Sequence, residues 1–209
     1  MSNVVLVTGG FDPIHKGHIE YFKEAKLLGD KLIVGLNSDH WLTRKKGKPF
    51  MDLENRAMVI QSLNMVDEVI IFNDEDNTSC HAIHQALQFY DEVIFANGGD
   101  RLISNIPEYE KYSNDERVKF VCNVGGDKTE SSSWLLDEWK SPKTLRKWGY
   151  YKDLYLGKGF KVKELVIKPF SCLSMQRHEY RSELWNLVSG SAEIHMGLGE
   201  EKMIYELNN

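Results

Sequence analysis

The chain has 209 residues, 42% hydrophobic and 27% charged, with a formal net charge of −5. This is enough for one large domain, or a medium domain plus a smaller one, and the acidic balance argues against a general nucleic-acid binder. No apolar run approaches the roughly 18 residues of a membrane span, and Met1-Ser2-Asn3 leads straight into an apolar run without a basic leader. A cytoplasmic protein with neither nucleic acid nor membrane as partner is expected. The three cysteines, Cys80, Cys122 and Cys172, are far apart and form no CxxC pair, so buried, inert thiols are expected rather than disulfides or a thiolate metal site.

In chain order, strands are predicted at Val4–Thr8, Lys31–Asn37, Glu68–Phe72, Glu92–Ala96 and Arg117–Val121. Helical patterns fall around 18–28, 52–64, 78–90 and 131–139, the second opening on Asp52 as a fitting N-cap. Short strands apolar throughout and separated by helices predict a parallel sheet covered on both faces. Residues 1–139 therefore read as a doubly wound α/β domain, with its ligand at the carboxyl ends of the strands. Lys140-Ser141-Pro142-Lys143 opens a polar linker, 140–147. From 148 to 209 the pattern becomes Tyr150–Tyr155, Lys161–Ile167, Leu184–Val188, Ala192–His195 and Lys202–Leu207, punctuated by glycines. That spacing predicts a small antiparallel β unit.

The most informative segment is Gly9-Gly10-Phe11-Asp12-Pro13-Ile14-His15-Lys16-Gly17-His18. It lies between the first strand and the first helix. A sharp glycine turn leaves amide N–H groups pointing outward, and a helix N-terminus adds partial positive charge, so the turn can cradle phosphate. His15 and His18, at i and i+3, flank Gly17, which permits close approach of a ligand to the backbone. The dinucleotide-binding fingerprint requires G-x-G-x-x-G, which Gly9-Gly10 does not satisfy. A second cradle is predicted at the last helix start, where Gly125-Gly126-Asp127-Lys128-Thr129-Glu130-Ser131-Ser132-Ser133 combines bare amides with hydroxyls.

His15-Lys16-Gly17-His18 resembles the HxGH signature of the cytidylyltransferase-like nucleotidyltransferases. Other elements follow in the same order. Thr43-Arg44-Lys45-Lys46-Gly47-Lys48, after Asn37-Ser38-Asp39, resembles the flexible lysine loop that closes over substrate phosphates, with Lys45 or Lys46 neutralising transition-state charge. Arg56 resembles the family's helix arginine near those phosphates. Asn97-Gly98-Gly99-Asp100 resembles its glycine-aspartate turn beside base and ribose. The serine stretch resembles its closing T-x-x-S-[ST]-[ST] motif, with Lys128-Thr129-Glu130 where glycine and isoleucine often stand. The resemblance implies a Rossmann-like fold and a nucleotide site formed by Gly9, Gly10, Phe11, Asp12, Gly17, Asn97, Gly98, Gly99, Asp100, Lys128, Thr129, Ser131, Ser132 and Ser133. It gives catalytic roles to His15, His18, Lys45, Lys46 and Arg56.

In such chemistry an acceptor phosphate oxygen attacks the α-phosphorus of a nucleoside triphosphate and pyrophosphate departs, so catalysis is positioning and charge stabilisation. Mg²⁺ would arrive on the triphosphate, with Asp12 or the lysine loop nearby; no dedicated metal cage is predicted. Val4 to about Pro107 is most similar to the adenylyltransferase half of ADP-heptose synthases and to glycerol-3-phosphate cytidylyltransferases, so ATP and CTP both remain open. Trp148-Gly149-Tyr150-Tyr151, Val162–Leu165, Leu173–His178 and Arg181–Trp185 resemble the cupin of type II phosphomannose isomerases. That resemblance implies a phosphorylated sugar or polyol as acceptor. Its metal motif departs here, because Tyr180 stands two places after His178; His178 and Glu183 remain as potential ligands. Trp139, Trp148 and Trp185 are candidates for a packing surface. A partial barrel leaves open edges, so a half-cupin and a homodimer are expected. Alternatives are adenylyl transfer to pantetheine phosphate or nicotinamide mononucleotide, and a non-catalytic nucleotide or sugar-phosphate binder.

Overall fold

A computed structural model describes residues 3–99, 101–126, 130–197 and 203–208. Five parallel strands, β1 (Asn3–Gly9), β2 (Lys31–Leu36), β3 (Glu68–Ile71), β4 (Glu92–Gly98) and β5 (Val118–Val124), form one sheet in the order β3-β2-β1-β4-β5. This is the doubly wound, Rossmann-like arrangement expected. The order reverses between β1 and β4, which makes the carboxyl ends of those two strands the crevice for a ligand.

The alternation of β1 explains why the sheet is covered on both sides. Val4 and Leu6 enter a core with Ile83, Val93, Phe95 and Val118, beneath α4 (Cys80–Ala86) and α5 (Pro107–Tyr112). Val5 and Val7 face the opposite way, into a core with Phe22, Ala25 and Ile60 from α1 (Lys16–Lys26) and α3 (Leu53–Gln61). Val4, Val5, Leu6 and Val7 are all fully buried, so β1 is the central strand by packing as well as by order.

Two departures from the sequence reading lie in this sheet domain. The stretch expected to be a flexible lysine loop is largely helical: α2 spans Asp39–Lys46. Ser38 caps it by accepting from Trp41 N, Asp39 sits in its first turn and Arg44, Lys45 and Lys46 in its last, so its charges complement the helix dipole. Gly47, with φ of 87°, ends it. In addition, α5 and a short 3₁₀ turn at Ile103–Asn105 fill a region for which the sequence pattern predicts no element.

The chain divides into two compact units. The first comprises Met1–Leu145 with Tyr151–Leu165, the second Arg146–Tyr150 with Val166–Asn209. After α6 (Ser132–Lys140), strands β6 (Thr144–Arg146), β7 (Gly149–Gly157) and β8 (Phe160–Ile167) form a three-stranded sheet. The 140–147 stretch thus holds a strand as well as polar linker residues. In the second unit, β9 (Ser191–Met196) pairs antiparallel with β10 (Met203–Asn208). The strand expected at Leu184–Val188 does not form; few apolar neighbours are gathered there, since Leu184 and Val188 are both exposed. The three cysteines are free thiols, but only Cys80 is buried; Cys172 is exposed.

Candidate active site

The turn after β1 is held from behind through its backbone carbonyls. Gly9 O accepts from Asn37 N at 3.1 Å, and Gly10 O accepts from Arg56 Nη1 at 2.9 Å. With those carbonyls pulled inward, the loop is fixed against α2 so closely that a Cβ on Gly10 would lie 2.7 Å from Leu42 Cδ2. Phe11 takes a left-handed φ of 47°, unusual for an aromatic residue and characteristic of functional turns. Its buried ring meets His18 edge-on at 5.0 Å and Phe22 at 4.9 Å.

The two histidines come together at the start of α1. Their rings stack with centroids 3.6 Å apart and planes 24° from parallel. His15 is the N-cap residue, and its backbone N–H donates to His18 Nδ1 at 3.3 Å. An N–H can only donate, so Nδ1 of His18 carries no proton and the neutral ring bears its proton on Nε2. Burial, then the neighbouring His15 and Lys46, push the His18 pKa down to about 3. His18 is therefore a neutral hydrogen-bond donor across the physiological range. Beside it, Lys46 donates from Nζ to the Asp12 carbonyl at 2.9 Å, and burial holds its pKa below the usual lysine value. Lys45 is exposed, with Nζ 4.3 Å from the centre of the Trp41 ring.

Two expected site residues serve the scaffold in this structure. Asp12 is fully buried, and its carboxylate oxygens accept from Phe50 N at 2.6 Å and Met51 N at 2.8 Å. It pins the segment before α3. Arg56 is also fully buried: it donates to Met51 O, Gly10 O and Asn37 O, and pairs with Asp39 Oδ1 at 2.6 Å. Its guanidinium ties α3 to the phosphate turn, instead of projecting from the helix. Burial of a charge on this scale requires such saturation.

The remaining predicted residues that the structure describes fall around the same end of the sheet. Asn97 and Gly98 close β4 and Gly99 follows it. Gly98 and Gly125 pack on Tyr21, where a Cβ on Gly125 would sit 2.8 Å from Tyr21 Cα. Gly17 lies against the His15 ring, where an added Cβ would stand 3.3 Å from Nδ1. Ser131 is the N-cap position of α6, and buried Ser132 donates from Oγ to Pro13 O at 2.9 Å, joining the second cradle to the first; Ser133 is exposed. Asp100, Lys128 and Thr129 lie outside the described residues.

Three further residues belong to the site although the sequence pattern does not single them out. Glu130 places Oε2 3.6 Å from His15 Nδ1. Asp39 bridges α2 and α3, accepting from Leu53 N and Arg56. Buried Asp74 accepts from Asn37 Nδ2, Ser38 N and Ser38 Oγ, so the Asn37-Ser38-Asp39 segment braces the crevice. A lone acid near a motif gives no periodic signal by which to find it. In the second unit, Arg181 contacts both His178 Nε2 and Glu183 Oε1 at 2.7 Å. His178 Nε2 itself lies 3.4 Å from Glu183 Oε1. Among the described residues, no group of three or more His, Cys, Asp and Glu could hold a metal ion.

The family model for Cytidylyltransferase-like proteins matches residues 6–165. This chain belongs to the cytidylyltransferase-like family. It is accordingly a nucleotidyltransferase by family, with the HxGH turn at its switch point. A second model, Mannose-6-phosphate isomerase C-terminal, matches residues 137–209. The chain is similar to the Bifunctional protein HldE of Helicobacter pylori (strain P12), 46% identical over 141 residues, covering 66% of this chain and 28% of that protein. The corresponding protein of Wolinella succinogenes is 37% identical over 99 residues, 46% of this chain and 20% of the relative. The chain thus spans less than a third of these curated relatives. Among solved structures, a lipopolysaccharide core biosynthesis protein from Thermoplasma volcanium GSS1 is 32% identical, covering 59% of this chain and 97% of that one, with a TM-score of 0.47. No helix among the described residues is long and apolar enough to cross a membrane.

Proposed function

We propose that this cytidylyltransferase-like protein transfers a nucleoside monophosphate from ATP or CTP to a phosphorylated sugar or polyol, releasing pyrophosphate. The observation that carries the reading is the neutral His18, its Nε2–H held ready beside Lys46 at the positive end of α1. An oxygen of the acceptor phosphate attacks the α-phosphorus. The bond from that phosphorus to the bridging oxygen of the β-phosphate breaks, and pyrophosphate leaves with the electron pair. His15, His18, Lys45 and Lys46 stabilise charge on the α-phosphate and on the leaving oxygens. Arg56 is a positioning residue that holds the Gly9-Gly10 turn. The Ser131–Ser133 amides and hydroxyls, with Lys128 and Thr129, take the outer phosphates. Gly98, Gly99 and Asp100 take base and ribose. Mg²⁺ belongs to the substrate as the metal–triphosphate complex.

The sugar-phosphate context is supported by the Mannose-6-phosphate isomerase C-terminal match, and we assign transfer to residues 1–139, a linker to 140–147 and the half-cupin to 148–209. A homodimer accompanies this reading, supported by apolar side chains left exposed on β7 and β8, such as Leu154, Leu156 and Phe160. Sedimentation at micromolar concentration tests it, and a monomer refutes it. Pyrophosphate release across a panel tests the activity: four nucleoside triphosphates against glycerol 3-phosphate, hexose and heptose phosphates, pantetheine phosphate and nicotinamide mononucleotide. Release only with the sugar and polyol phosphates is expected. Release only with the last two acceptors, or with none, overturns the reading.

A further inference from the structure

The carboxyl end of the sheet carries a polar cluster to which the handling of the nucleotide described above gives no role. On β1, Val4 and Leu6 face the core layer beneath α4 and α5, and Thr8 continues that alternation. On β4, Val93 and Phe95 face the same layer, and Asn97 continues it. The two strands are paired with Leu6 opposite Phe95, so Thr8 and Asn97 stand next along adjacent strands on one face. The irregularity beside Asn97 falls on β5: Ala96 pairs with Val121 and Gly98 with Val124, so the extra residue is in β5 and β4 keeps its alternation.

Two more residues close the cluster. Ser79, ahead of α4, places Oγ 2.8 Å from Thr8 Oγ1, and its backbone N–H donates to Glu108 Oε1 from α5. Ser79, Asn97 and Glu108 are 8%, 4% and 2% exposed, while Thr8 is half-buried and marks where the cluster opens. Asn97 Nδ2 and Glu108 Oε2 are both buried without a hydrogen-bond partner among the described residues. Asp74 behaves differently: at the same burial, both of its oxygens are satisfied by Asn37 and Ser38. A fold that saturates one buried carboxylate, yet leaves an oxygen of another and an amide at the same end of the sheet without partners, presents two groups that a ligand's polar atoms can satisfy. The match is to a polyhydroxylated group, one hydroxyl donating to Glu108 Oε2 and another accepting from Asn97 Nδ2. An apolar arm offers neither.

We propose that Thr8, Ser79, Asn97 and Glu108 form the acceptor subsite, binding the hydroxyl-bearing part of a sugar or polyol phosphate. This rests on the functional reading above and sharpens it: Asn97 serves the acceptor rather than the nucleotide. The cluster lies at the β1/β4 switch point, beside the turn that carries His15 and His18, so an acceptor held there has its phosphate close to the reacting centre.

The test compares wild type with Glu108→Gln and Asn97→Ser. Glutamine keeps an oxygen for Ser79 N and replaces the ligand-facing acceptor, so the fold is retained. Probes are glycerol 3-phosphate with 3-hydroxypropyl phosphate, and a hexose 1-phosphate with its deoxy derivatives. Loss of a hydrogen bond to a buried charged group predicts a rise in acceptor KM of about 10-fold or more, with nucleotide KM and kcat at saturating acceptor changed less than about threefold. Wild type should prefer each hydroxylated probe over its deoxy partner, and Glu108→Gln should narrow that preference, which a purely structural role would not. Tyr112→Phe removes a bond to Cys80 O in the same layer without touching the cluster, and should leave acceptor KM unaltered. Acceptor KM and preference unchanged in both cluster variants would overturn the subsite alone. Absence of transfer to every hydroxylated phosphate by the wild-type enzyme overturns the functional reading, and the subsite with it.

Discussion

The parallel sheet and the strands that follow it have similar apolar content and opposite fates. In β1, Val4 to Val7 are all fully buried, whereas all eight residues of β8 are exposed, among them Phe160, Val162, Leu165, Val166 and Ile167. Beyond Val124, no described hydrophobic side chain is buried in a core. Both regions satisfy strand preference, and only one satisfies coverage. A β-strand becomes a core element when layers close over both of its faces, which helices α1, α3, α4 and α5 do for the parallel sheet. An antiparallel ribbon with uncovered apolar faces is marginal by itself and depends on a further surface.

The largest expected effect tests that contrast in stability. Phe22→Ala, in a fully buried position of α1, should destabilise by about 3–5 kcal/mol through lost burial and a cavity. Val162→Ser in β8 should cost less than about 0.5 kcal/mol at protein concentrations low enough for the monomer. Urea denaturation of both variants measures the difference. Equal costs would mean that the β8 face is covered, and the comparison between the two regions would collapse.

Next comes chemistry. His18→Ala should lower kcat at least about 10²-fold, equivalent to about 2.7 kcal/mol, with little change in nucleotide affinity, because a donor tuned to the transition state acts on rate. Trp185→Ala, in the second unit, should leave kcat within about twofold. Single-turnover rates at saturating substrate are the measurement; a near wild-type His18→Ala would break the assignment of catalysis to the sheet domain.

The smallest effect concerns acid. The folded pKa of His18, about 3, lies below its ordinary 6.5. Between those values the unfolded chain binds a proton that the folded chain refuses, so stability rises with pH across the window. As pH falls below about 6.5, this group should remove up to about 1.4 kcal/mol per pH unit. His18→Asn, which cannot take the proton, should show a shallower loss. Parallel slopes for the two proteins between pH 7 and pH 5 would disprove the buried, neutral state.

Much of the fold is legible because parallel strands in a two-sided core must be apolar throughout: Val4–Val7, Leu32–Val34 and Val93–Ala96 announce themselves without neighbours. The HxGH turn is legible for a related reason, since glycines and two histidines at fixed spacing serve local geometry. The second region is harder. Alternation and glycine turns locate β7 to β10, yet Leu184–Val188 carries the same signals and forms no strand, because strand preference needs a partner edge.

What the amino-acid order determined by itself is therefore the local grammar: the five strands, the phosphate turn, the start of α1 and the change of pattern after Trp139. Tertiary structure alone decided which charged groups face the ligand. Arg56, Asp12 and Asp74 look like surface or site residues by type, and each is buried with its hydrogen-bonding capacity taken up by distant groups, most of them backbone. Sequence position marks His18 as a site residue but not its charge: burial with His15 and Lys46 nearby keeps it neutral, and the His15 N–H fixes its tautomer. Glu108 and Asn97, on separate elements of the sequence, gain meaning only when β4 and α5 bring them to one end of the sheet. Burial and charge–charge interactions depend on what the folded chain places within a few ångströms, and sequence spacing does not encode that across separate elements.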